Sequence, residues 1–171
     1  MNFADIYLKK YENAKTTRLQ FETLYDEIFE YCLPKRQGFK NYAPGQRRDD
    51  LILDETAVVG VQEFASRLQA GLVPNFARWA DFVAGSEVPE EESDTINNEL
   101  DKVTEYVFEI IQTSNFAQEI HECFIDLALG TAVLLVEEGD AVNPIMFHSI
   151  PLPHVVLDTG PNGRIDHVYR E

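Results

Sequence analysis

His121-Glu122 opens like the helix of a zinc hydrolase, in which a second histidine one turn on completes the metal ligands and the glutamate acts as base. Here that position is Ile125, so the second ligand is missing. Glu119, His121, Glu122 and Asp126 are then expected to be the wet face of one helix. His148, His154 and His167 fall on or beside expected strands, with Asp158 and Asp166 nearby. Alternate strand positions point to opposite faces, and nothing in the spacing makes these residues converge, so they read as surface histidines. None of the nine glycines belongs to a G-x-x-x-x-G-K-[ST] phosphate loop, a G-x-G-x-x-G turn or a G-x-S-x-G elbow. The sequence therefore offers no catalytic residue, no metal site and no cofactor site. Cys32 and Cys123 lack metal-type spacing and are expected as free thiols in a reducing compartment.

One stretch has polyanion chemistry. Lys35, Arg36, Lys40, Arg47 and Arg48 stand between Pro34 and Asp50, with Phe39 and Tyr42 interleaved. Such a mixture can hold a phosphate backbone and stack on bases. It also suits a protein interface, where arginine and aromatic residues concentrate, and the interface is the favoured reading. The formal net charge is −16. Residues 1–84 are nearly balanced, while 85–126 carry 12 acidic residues against Lys102 alone. That excess is expected as a solvated face, with a docking or DNA-repelling surface as the alternative. Tight nucleic-acid binding across the whole chain is disfavoured.

The elements that would position these residues give an α+β chain: a mainly helical region over 1–130 with a basic loop at 34–53, then a β-hairpin region over 131–171. Phe3, Ile6, Tyr7, Tyr11, Ala14, Phe21, Leu24, Tyr25, Ile28 and Cys32 recur at steps of three or four, predicting one long amphipathic helix over 3–33 that Pro34 stops. A second helix starts near Asp54 and is expected to bury Ala57, Val61, Phe64, Leu68 and Leu72. Trp79, with Phe76 and Phe82, is expected in the core. A third helix follows the carboxylates at 87–92, with Ile96, Leu100, Val103, Val107 and Ile110 as its apolar row. Asn115 and Gln118 resemble a capping box opening a fourth helix, which should bury Phe116, Ile120, Phe124 and Leu127, end at Gly130 and form a hairpin with the third. Strands are expected over 132–136, 145–150, 155–157 and 164–170. Stopping just past an edge strand suggests a truncated chain. Residues 1–5 lack a signal-peptide pattern, and the most apolar window, 124–136, is too short for a bilayer and contains Asp126, so no membrane is expected.

Several segments resemble the portal, or head-to-tail connector, family of short-tailed phages. Leu53-Asp54-Glu55-Thr56-Ala57 is similar to its helix start after the basic loop. Leu68 to Pro74 followed by Arg78-Trp79 is similar to its helix-to-tryptophan stretch. Asp126 to Glu137 resembles the handover from portal helices to wing strands, and Pro153-His154-Val155 with Gly163 to Val168 resembles the hairpin after it. The resemblance implies a non-enzymatic structural subunit, assembled in host cytoplasm into a dodecameric ring at one capsid vertex of the virion. Double-stranded DNA would pass through the ring, which would contact capsid protein, the packaging terminase and later a tail adaptor. The family's stem, tunnel loop and crown would follow residue 171, so no channel-lining residue carries over. The competing expectations are an acidic protein–protein interaction module that binds a basic partner, and a hydrolase built on His121 or the strand histidines.

Overall fold

The computed structural model describes residues 3–36, 38–39 and 54–171. It is α+β, with four helices followed by two small antiparallel sheets. α1 (Phe3–Cys32) ends where Pro34 removes the next donor, its last turn closed by Leu33 N–H on the Phe29 carbonyl at 3.2 Å. Of the expected stripe only part turns inward. Ala14 is buried and Tyr11, Tyr25, Ile28 and Cys32 are half-buried, whereas Phe3, Ile6, Tyr7, Phe21 and Leu24 are exposed; Phe29, outside the expected stripe, is buried as well. The helix is long enough that its two ends meet different neighbours, so no single stripe is covered throughout.

α2 (Thr56–Leu72) starts where the Asp54 carboxylate accepts Thr56 N–H at 2.8 Å, satisfying one orphan donor of the first turn. Its covered line is Val61, Ala65 and Leu68. Ala57, Phe64 and Leu72 are exposed, contrary to expectation. The small side chain of Ala65, 0 % exposed, lets α2 sit close to its neighbours, and that rotates the bulky Phe64 outward.

After a turn closed by Ala77 N–H on the Pro74 carbonyl, the chain runs extended and antiparallel beside α3 (Glu90–Thr113). Phe82 N–H donates to Thr104 Oγ1 at 3.2 Å and Ala84 N–H to Asn97 Oδ1 at 2.8 Å, while Arg78 pairs with Asp101. Trp79 lies edge-on to Phe108 at 5.2 Å and stacks on Phe116 at 6.0 Å; Phe116 then meets Phe147 at 4.9 Å. This aromatic chain ties the extended segment, α3, α4 and β2 together. Trp79 is still 39 % exposed, and Phe76 (97 % exposed) and Phe82 lie outside the aromatic chain, so the expectation that the three residues are core is corrected: Trp79 is partly covered by its ring contacts and the other two face outward.

α4 (Phe116–Leu127) follows α3 after two residues but packs chiefly on α2 and β2. Gly130, with φ 112°, reverses the chain in a conformation side chains resist. β1 (Val133–Glu138) pairs with β2 (Ile145–Ile150), and β3 (Val155–Thr159) with β4 (Ile165–Arg170). β3 lies against α1, with Val155 and Val156 almost wholly buried. The main core joins Phe29, Leu33, Ala65, Phe124, Ile125, Leu129 and Leu152.

Both hairpins have the edge of their inner strand sealed by helix side chains. Asn115 and Glu119, one turn apart on α4's first face, engage Phe147 and Ser149 of β2; the Glu119 carboxylate accepts Ser149 N–H at 2.7 Å. On the second hairpin, Arg18 of α1 donates to the Val155 carbonyl at 2.9 Å. A two-stranded sheet is marginal alone, so these side chains supply what a third strand would.

Candidate functional site

Arg36 follows the turn that ends α1, its N–H bonded to the Leu33 carbonyl at 2.9 Å. Its guanidinium reaches α4, pairing with Asp126 Oδ1 through Nη1 and with the Glu122 carboxylate through Nη2. Asp126 is 2 % exposed, and its Oδ2 is buried with no hydrogen-bond partner. Burial pushes its carboxyl up to about 6, and the neighbouring Arg36 only partly offsets this. Burial and the Asp126 charge likewise raise the Cys123 thiol. A cleft of about 270 Å³ opens beside this cluster, lined by Phe29, Arg36, Glu119, Glu122, Asp126, Ser149, Pro151 and His154.

Two residues expected on the wet face of α4 are therefore not there. Asp126 is a buried ion-pair partner, and Glu119 is bonded to a strand backbone. His121 is also engaged, its Nδ1 2.9 Å from Gln69 Oε1 of α2. The sequence pattern missed these roles because each partner is remote along the chain. The other histidines lie apart from one another. His148 stands 3.4 Å from Glu137 on the first hairpin, His154 lines the cleft, and His167 accepts from the Lys10 ammonium at 3.0 Å. Among the described residues no three His, Cys, Asp or Glu side chains are grouped to hold a metal ion. Cys32 and Cys123 are free thiols.

Of the basic residues singled out, Lys35 is exposed and Arg36 is tied to α4; Lys40, Arg47 and Arg48 lie outside the described residues. A second charged hub links α1 to β4. The Glu171 carboxylate receives Lys15 at 2.6 Å, Arg18 at 3.0 Å and the Tyr11 hydroxyl. These donors, Lys15 first, hold its carboxyl down at about 2.

α3 is covered on one line only. Thr104 and Phe108 are buried under the extended segment, while the expected apolar row is only partly covered: Ile96, Leu100, Val107 and Ile110 are half-buried, and Val103 is 49 % exposed. Asp94, Glu105 and Glu109 are exposed on the other flank of that line. Val103 and Tyr106 leave apolar surface of α3 exposed within one chain.

A family model described as bacteriophage head to tail connecting protein matches residues 4–171. The chain belongs to that family. It is thus a structural component of the junction between phage capsid and tail, in keeping with the family resemblance of its motifs. No curated protein matches the connector chain. Among the connector's described residues no helix is long and apolar enough to cross a membrane.

Proposed function

We propose that the chain is a portal subunit whose copies close into a ring, dodecameric as the resemblance implies, at one capsid vertex. DNA is packaged and ejected through that ring, with the terminase docking during packaging and a tail adaptor afterwards. The carrying observation is the apolar row on α3, none of whose five residues is fully buried within one chain. Self-association is the ordinary reason for a folded chain to keep such a row. In this reading residues 1–130 form the helical body and 131–171 a wing, and assembly takes place in the host cytoplasm. Lys35 and the basic residues Lys40, Arg47 and Arg48 contact a neighbouring subunit, the adaptor or the DNA backbone. No step of this role needs a catalytic group.

The test is the mass of the intact protein in solution by light scattering, with negative-stain images of the same sample. Rings with a central channel are the expected result. A protein that stays monomeric over a wide concentration range overturns it. Charge reversal at Arg47 and Arg48 should weaken ring assembly or adaptor binding, and unchanged rings with unchanged adaptor affinity would remove that role.

The exposed Asp94, Glu105 and Glu109 favour a second reading, an acidic module that binds a basic partner. Capture of a basic protein at low salt and its release at high salt, by a chain that forms no rings, would support it.

A further inference from the structure

We propose that Asp126 is a proton-operated latch: ionised, it fastens Arg36, and with it the turn that leads into the basic stretch, to α4; protonated, it lets the guanidinium loosen.

The geometry is of one cation shared among too many carboxylates. Arg36 bridges Asp126 and Glu122, which lie one turn apart on α4, and Glu119 a turn earlier lines the same cleft. Glu119 is partly compensated by Ser149 N–H, but Glu122 and Asp126 compete for a single guanidinium. Among the described residues the other groups near Asp126 add little positive charge. Cys123 beside it on α4 is a thiol with a raised pKa, and His154, from the 3-10 turn Leu152–His154, stands across the cleft. Phe29 of α1 is the apolar wall.

Within this cluster the two oxygens of Asp126 are unequal. Oδ1 meets Arg36, whereas Oδ2 is closed off from solvent without a donor. A buried, unpaired carboxylate oxygen is costly, and a proton is the smallest group that relieves it. The position of its titration, pushed up to about 6, agrees with that arrangement. Once Asp126 is neutral, the attraction between opposite charges is gone and only a hydrogen bond from the charged guanidinium to a neutral carboxyl is left. Arg36 then keeps its pairing with Glu122, whose side chain is about half exposed (48 %). The latch acts on the turn from Leu33 to Arg36; Phe39, further on, packs on Tyr25 and Phe29.

The inference stands apart from ring formation, and so does its test. Carboxyl and guanidinium NMR of the wild-type chain, recorded from acid to neutral pH, follows Asp126 and Arg36 directly. The expected result is an Asp126 midpoint near 6, with the Arg36 Nε–H signal moving in step and hydrogen exchange of the Arg36 amide, corrected for intrinsic rate, rising several-fold below it. Asp126→Asn should abolish the step in the Arg36 signal. An Asp126 midpoint in the ordinary aspartate range overturns the proposal. So does an Arg36 signal that stays still while Asp126 titrates. Neither readout needs a variant to fold.

Discussion

Asn115 exchanges two hydrogen bonds with Phe147: its side-chain amide donates to the Phe147 carbonyl at 2.7 Å, and the Phe147 N–H donates to its side-chain oxygen at 3.0 Å. One residue at the head of α4 thereby imitates a neighbouring strand, and only an amide side chain offers a donor and an acceptor side by side. Asn115→Ala should cost about 1–3 kcal/mol, because two part-buried backbone groups lose their partners. Asn115→Asp keeps the acceptor but sets a carboxylate against a carbonyl. It should be destabilising at neutral pH and recover in part when the acid is protonated. Denaturant unfolding of the three proteins at two pH values checks both.

Arg36 and Asp126 should behave as a pair, and the damage from breaking it should come from the stranded charge. Arg36→Ala is expected to cost about 3–5 kcal/mol. The double variant Arg36→Ala with Asp126→Asn should be more stable than Arg36→Ala alone, since it removes the uncompensated carboxylate. A double variant no better than the single one would show that packing, not charge, is what Arg36 contributes.

The same carboxylate sets a pH dependence of definite sign. Asp126 is raised from 3.8 to about 6, so its contribution is fully present below the unfolded value and is lost as pH rises through about 6. At roughly 1.4 kcal/mol per unit the span is on the order of 3 kcal/mol. Wild type should gain stability over Asp126→Asn on going from about pH 7 to about pH 4. Glu171 works the other way. Held at about 2 against a usual 4.5, it contributes above 4.5 and fails as pH falls through about 2. Unfolding curves across pH for Asp126→Asn and Glu171→Gln should separate the two windows, and a shared window would contradict the assignment.

Much of the fold was legible from local signals. Pro34, Asp54 and Gly130 each restrict the backbone or satisfy an end group without help from elsewhere, and the helix limits fall beside them. The strand segments were legible because turn residues bracket β-branched runs. Packing was legible only in part. The N-x-x-Q pattern at Asn115 reads locally as a capping box, yet no side-chain cap forms, because Phe147, 32 residues on, takes the amide instead. Asp126 sits 90 residues from Arg36, and no periodicity pairs them. The spacing of the row on α3 marks it as apolar; whether it is covered inside one chain is a property of the neighbours, which spacing does not encode.

Arg18 is the next test of how the helices hold the strands. It is 12 % exposed and binds Glu22 at 3.1 Å, Glu171 at 3.0 Å and the Val155 carbonyl, joining α1 to both strands of the second hairpin. Lys15 meets the same Glu171 from a more exposed position (43 %). Arg18→Ala should therefore cost about 2–3 kcal/mol by removing charge-assisted bonds to partners that stay covered, and Lys15→Ala well under 1 kcal/mol. Equal losses, measured by thermal unfolding, would place the hub's strength in Glu171 alone.

The open row of α3 makes the sharpest demand on the assembly reading. Val103 is about half exposed in the single chain, so Val103→Glu should shift monomer stability by no more than about 0.5 kcal/mol. In an assembled ring the same carboxylate would be buried without a partner, which is among the most costly changes an interface can suffer. Association should weaken at least tenfold while the melting temperature of the dissociated chain stays put. Sedimentation velocity across a concentration series, paired with thermal unfolding, reads both. A lower melting temperature with intact assembly would mean that the row packs inside the subunit; no change in either would leave the row facing solvent in the assembly, and the self-association interface would have to be sought on the exposed face of α1.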